Sequence, residues 1–129
     1  MKHLSKLIGA SLLLIALSIP QSVISADRSV KVLGWGAKSG PLKSFGVNSE
    51  AALRSAVAEI NSAGGVRMGD GSMAPMEVVS YEDSACKKDE AIAILRKTAS
   101  TTDAIVGMGT TCSGVCQAMF GVLQKKVED

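Results

Sequence analysis

Three short apolar runs, separated by stretches of helical periodicity, constrain this chain more than any other feature. Val30–Gly36 (VKVLGWG) is apolar and β-branched at its start, and it reads as a strand. Met76–Tyr81 (MEVVSY) is a second strand. Asp103–Gly109 (DAIVGMG) is a third, continuous and apolar enough to be buried in a parallel sheet. Between the first two, Asn48–Asn61 sets Leu53, Val57 and Ile60 on one helical face with Ala52 and Ala56 beside them, and Gly64-Gly65 follow its end. Lys87–Ser100 sets Ala91, Ile94, Leu95 and Thr98 on one side, and Ser113–Val127 carries Val115, Cys116, Met119, Phe120 and Leu123. Lys38–Gly46 reads as a loop and Val66–Pro75 as a polar turn region. The order β-α-β-α-β-α predicts an α/β fold, a parallel sheet with helices on both faces. Such sheets bind ligands outside the carboxyl ends of their strands, which directs attention to Ala37–Val47, Glu82–Lys87 and Thr110–Ser113.

Ahead of this pattern lies a different kind of segment. Lys2, His3 and Lys6 form a basic start, Leu7–Ile19 is an apolar run, Pro20 breaks it, and small residues lead to Ala26. That layout predicts a signal peptide over residues 1–26, cleaved after Ala26, and an exported, periplasmic mature chain over residues 27–129. Removing the leader leaves 12 basic and 12 acidic side chains, so the mature chain carries no net charge. A nucleic-acid partner is excluded, since none of the phosphate charge would be neutralised by a basic excess.

Export makes a disulfide permissible, and three cysteines are available: Cys86, Cys112 and Cys116. Their number leaves one bridge and one extra thiol, without fixing the pairing. No metal site is expected, because the only histidine, His3, falls in the leader and the thiols are irregularly spaced. No phosphate loop or nucleophile elbow occurs, and Gly34-x-Gly36-x-x-x-Gly40 is one residue too long for a dinucleotide fingerprint. Neither enzyme activity nor a cofactor is expected. Gly109–Gly114 (GTTCSG) ends a strand and opens a helix. Free amides there, with the hydroxyls of Thr110, Thr111 and Ser113, suit a carboxylate, although the same hydroxyls could simply cap the helix.

Taken together, Val30–Gly34, Ser39-Gly40-Pro41-Leu42 with Phe45-Gly46, Ala56–Asn61 with Gly64-Gly65, Ser80–Asp83 with Cys86, and Gly109–Ser113 resemble the type I periplasmic solute-binding proteins. The nearest branch is the leucine/isoleucine/valine-binding kind that serves ABC importers. The resemblance runs from about Val30 to Val127 and corresponds to roughly the first third of such proteins. It implies two lobes that close over a small ligand, such as an amino acid or related carboxylate or amide, and an ABC permease as partner. It further implies a Cys86–Cys112 disulfide with Cys116 left over, a carboxylate contact at Ser113, and an aromatic pocket wall at Phe45. Trp35 replaces the usual small aliphatic residue and fits either core or pocket wall. The alternative to transport is the ligand-sensing ectodomain of a signalling receptor built on the same lobe.

Overall fold

The computed structural model describes residues 28–125. The expected signal peptide, and Val127 at the end of the expected third helix, lie outside them. Within them the chain runs β1 (Val30–Gly36), a 3-10 turn (Gly40–Leu42), α1 (Lys43–Ser62), β2 (Val66–Arg67), β3 (Met73–Ala74), β4 (Met76–Asp83), α2 (Lys88–Thr101), β5 (Val106–Met108) and α3 (Ser113–Lys125). β1, β4 and β5 form one parallel sheet in the order β4-β1-β5. This is the expected α/β architecture, and β1 is its centre.

Burial follows from that position. Val30 and every residue from Val32 to Gly36 are buried, because the strand is paired on both edges and covered on both faces. Alternate residues serve opposite faces. Val32 packs with Leu53 and Val57 of α1 and with Tyr81 of β4. Leu33 and Trp35 pack on the other side with Ala91 and Leu95 of α2 and Cys112, Val115 and Met119 at α3. The pairs Leu53/Val57, Ala91/Leu95 and Val115/Met119 each sit four residues apart, the spacing that brings side chains onto one helical face.

A bulge in β4 tunes this arrangement. Val32 pairs with Val78, but Leu33 pairs with Ser80, so Val79 is an extra residue. Val78 faces α1 and Val79 the opposite core, and the inserted residue returns Tyr81 to the α1 side. The Tyr81 ring then occupies the space left by the missing side chain of Gly34, where a Cβ would overlap the ring.

Three segments differ from the sequence reading by more than two residues, while β4 runs on to Asp83 and α2 is shifted by one residue. The expected loop at Lys38–Gly46 is largely helical: Gly40 takes φ +68°, Pro41 starts the 3-10 turn, and α1 begins at Lys43 instead of Asn48. Gly46 permits this, since its Cα lies so close to the Ala37 backbone that any side chain would collide there. The polar turn region contains a short antiparallel ladder between β2 and β3, closed by a turn in which Asp70 accepts hydrogen bonds from the Ser72 amide and hydroxyl. The third strand is a correction: it spans only Val106–Met108 and is not buried. Ile105 is 77% and Val106 42% exposed because, among the described residues, β5 pairs with β1 alone. An apolar groove of about 450 Å³ lies beside it, lined in part by Trp35, Met119, Phe120 and Leu123.

Filling the Gly34 space should be costly. Gly34→Ala is expected to destabilise the protein by about 1–3 kcal/mol through overpacking against Tyr81, whereas Gly69→Ala, whose Cβ would meet no atom within 4 Å, should change little. Urea unfolding of both variants checks this; equal midpoints would contradict the packing.

Candidate functional site

The strand order creates the site. The helix after β1 covers one face of the sheet, while the helix after β5 covers the other. The loops leaving these two adjacent strands therefore diverge, and the topology places the candidate crevice between their carboxyl ends. Ala37–Leu42 forms one wall and Gly109–Ser113 the other.

The first wall is held from behind. The Lys38 ammonium pairs with Glu50, which also accepts from Arg54 at 2.8 Å, and lies 5.5 Å from the centroid of the Tyr81 ring. The hydrogen bond from Lys38, with that from Arg54, holds the Glu50 carboxyl below its ordinary range. The Lys38 charge is thus spent on α1 and adds little to the crevice. At the end of β4, Asp83 accepts backbone N–H groups from Lys38 at 2.7 Å and from Ala85 at 2.8 Å. Desolvation raises the pKa of Asp83, but hydrogen bonds from the Ser39 hydroxyl and the amides of Ala85, Lys38 and Ser39 outweigh it and leave the carboxyl ionised below its usual range.

The second wall is stapled. A disulfide joins Cys86 to Cys112 with their Cα atoms 5.8 Å apart, and Cys116 is the free, half-buried thiol. The pairing implied by the family resemblance is the one present. Thr110 accepts a hydrogen bond from the Cys112 amide at 3.0 Å, so its hydroxyl is engaged within the loop. The Cys112 carbonyl accepts from Val115 and Cys116, each at 3.0 Å, and starts α3. Ser113 is exposed at the first helical position, one past the cap, and the amides of Ser113 and Gly114 precede the first intrahelical bonds. No acidic residue lies in that first turn, in contrast to α2, which carries Asp89 and Glu90. The positive end of the α3 dipole is left open to the crevice.

The residues singled out in the sequence are not all together. Thr110, Thr111 and Ser113 share the second wall. Phe45 lies in the first turn of α1, on the side of the first wall, and is 57% exposed. Trp35 belongs to the core: its ring packs against Gly107 and Gly109, and it is 7% exposed. Asp83 and Gly46 stand in sequence only within the motifs of the resemblance, and the structure gives each a specific structural part. The Asp83 role had a signal, since an Asp commonly accepts the amide two residues on.

Comparison with known proteins agrees with this geometry. No family model matches. The chain is 31% identical over 109 residues to the Leu/Ile/Val-binding protein of Citrobacter freundii, and 29% identical over the same length to that of Escherichia coli K12. Each match covers 84% of this chain and 28% of the relative. A solved structure described as a periplasmic binding protein type 1, from Bordetella pertussis Tohama I, superposes with a TM-score of 0.65 at 24% identity, covering 76% of this chain and 25% of the other. This chain is homologous to the matched part of the Leu/Ile/Val-binding proteins and shares the fold of a type 1 periplasmic binding protein. It spans little more than a quarter of the length of the Leu/Ile/Val-binding proteins it matches, all of which are named as binding proteins and not as enzymes.

In a domain of this size the staple should matter. Peptide mapping of the protein should find Cys86 linked to Cys112 and Cys116 alkylatable, and reduction should lower stability by about 3.5 kcal/mol for a 26-residue separation. A Cys112–Cys116 peptide, or an unchanged unfolding midpoint after reduction, would contradict this.

Proposed function

We propose that the crevice takes the carboxylate of a small aliphatic amino acid, and that the protein is the extracytoplasmic solute receptor of an importer. The observation that carries the reading is the start of α3: an open, acid-free helix N-terminus at the switch in strand order, held there by the Cys86–Cys112 bridge. Ser113 would donate its hydroxyl, and the amides of Ser113 and Gly114 would add charge-assisted bonds. Thr111, also exposed beside them, would widen the polar contact, and Thr110 would act by shaping the loop. Phe45, exposed in the first turn of α1 just after the opposite wall, would cover the apolar part of the ligand. Trp35 would support the second wall from within the core.

The names of the relatives favour leucine, isoleucine or valine as the ligand class. Two-lobed closure, delivery to an ABC permease, and export to the periplasm behind a cleaved signal peptide complete the proposal. One lobe provides only part of such a site. Binding by these residues alone should therefore be weak, of millimolar order, or about 4 kcal/mol.

The test uses the carboxylate. L-leucine added to the 15N-labelled protein should shift the amide resonances of Ser113, Gly114 and Val115, and leucinamide, which lacks the carboxylate, should not. Ser113→Ala should remove most of the response, as a hydrogen bond to a charged group contributes about 1.5–3 kcal/mol. Its melting temperature should stay near that of the parent, because Ser113 lies one residue past the cap. A leucinamide response equal to that of leucine, or a loss of unliganded stability of about 1 kcal/mol in the variant, would contradict the assignment.

A further inference from the structure

We propose that Asp83 is the positioning residue of the crevice, its carboxylate fixing the wall after β1 against the loop that carries the disulfide. The inference rests on reading the crevice as the binding site. Asp83 is the last residue of β4 and stands in register with Gly36, the last residue of β1. One of its oxygens, Oδ1, accepts both the Lys38 and the Ala85 amide. These donors belong to different loops, so a single atom joins them. A second link runs in parallel, from the Ser84 amide to the Gly36 carbonyl at 2.8 Å.

The next residues make the link consequential. Ala85 and Cys86 have φ of +47° and +60°, left-handed values that L side chains adopt at a cost and that surrounding contacts must enforce. Asp83 holds the first of them through its amide. The second is bonded to Cys112, whose carbonyl begins α3. A short path thus leads from the Asp83 carboxylate through Ala85, Cys86 and Cys112 to Ser113. Loss of the carboxylate should release the turn and let the helix start move relative to Lys38 and Ser39.

Lys87 and Lys88, which follow the turn, are cations and cannot accept from the two amides, and the other neighbouring charges are engaged elsewhere. Lys38 and Arg54 pair with Glu50, and Lys97 pairs with Glu82 at 3.2 Å. None of these groups substitutes for Asp83 at the two amides. Since hydrogen bonding leaves the Asp83 carboxyl below its ordinary range, the latch should be intact near neutral pH and lost only as the pH falls through that depressed value.

NMR and reduction kinetics test the role. In the 15N-labelled protein, the Lys38 and Ala85 amides should resonate downfield and titrate together, with one midpoint below the ordinary aspartate value of 3.8. Asp83→Ala should shift the Ser113 and Gly114 amides and speed dithiothreitol reduction of the bridge about fivefold, the factor for one net hydrogen bond. Asp83→Asn keeps an oxygen that can accept both bonds, so it should restore the parental rate while abolishing the titration. Separate midpoints for Lys38 and Ala85, or an alanine variant with parental rate and unmoved Ser113, would overturn the proposal. If the alanine variant does not fold, the wild-type titration and the asparagine rate decide. A protein that meets these expectations yet ignores L-leucine supports the latch and sinks the carboxylate reading alone, which keeps the two failures distinct.

Discussion

Everything in this structure depends on β1 having no free side. It pairs with β4 on one edge and β5 on the other, and its two faces belong to two different cores. The strand carries Gly34 and Gly36 facing Tyr81, with Leu33 and Trp35 facing α2 and α3. Small residues on one face and large ones on the other let a single strand be covered unequally. Burying each Val, Leu or aromatic side chain contributes on the order of 1.5–3 kcal/mol, and the central strand is where most of the long-range burial converges. The free edge of β5, by contrast, leaves Ile105, Val106, Phe120 and Leu123 exposed.

Function follows from the same constraint. A strand flanked on both sides, with its successor helix on one face and that of its neighbour on the other, necessarily has diverging loops at its carboxyl end. The protein then fixes those loops by a sparse set of bonds: the disulfide, the Asp83 carboxylate and the Ser84 amide. The nearby Asp83 and Glu50 are engaged by amides or by Lys38 and Arg54, so the electropositive features at the start of α3 are its helix dipole and the Lys88 side chain that lies beside Gly114. A rigid frame with one uncompensated N-terminus suits recognition more than chemistry. That agrees with homologues that are named for what they bind.

The strands and the helix faces were legible because their signals are local. Leu53 with Val57, Ala91 with Leu95, and Val115 with Met119 announce a period near 3.6, and Val30–Gly36 announces a buried strand. What was not legible depended on contacts between distant residues. Gly40, Pro41 and Gly46 look like breakers in sequence, yet the Ala37 backbone passes so close to Gly46 that only glycine lets α1 begin this early. β5 has the composition of a buried strand, but burial requires a neighbour on its second edge, and apolar content cannot reveal one. The bulge at Val79 likewise reflects how Tyr81 must meet Gly34. For the site, Ser113 and its threonines were visible as a loop of hydroxyls. The cysteine pairing came from family resemblance, because spacing alone left it open. Trp35 fits two environments in sequence, and in the structure it packs in the core against Gly107 and Gly109 while also lining the groove beside β5.

The centrality of β1 is open to one direct measurement, native-state hydrogen exchange resolved by residue. In a parallel sheet, successive amides point to opposite neighbours, so a central strand protects all of them and an edge strand every second one. The arrangement β4-β1-β5 requires continuous protection from Val32 through Trp35 and alternating protection across Val106–Met108. Continuous protection along Val106–Met108 with alternation in β1 would mean that β1 lies at an edge. The crevice between its carboxyl end and that of β5 would then not exist.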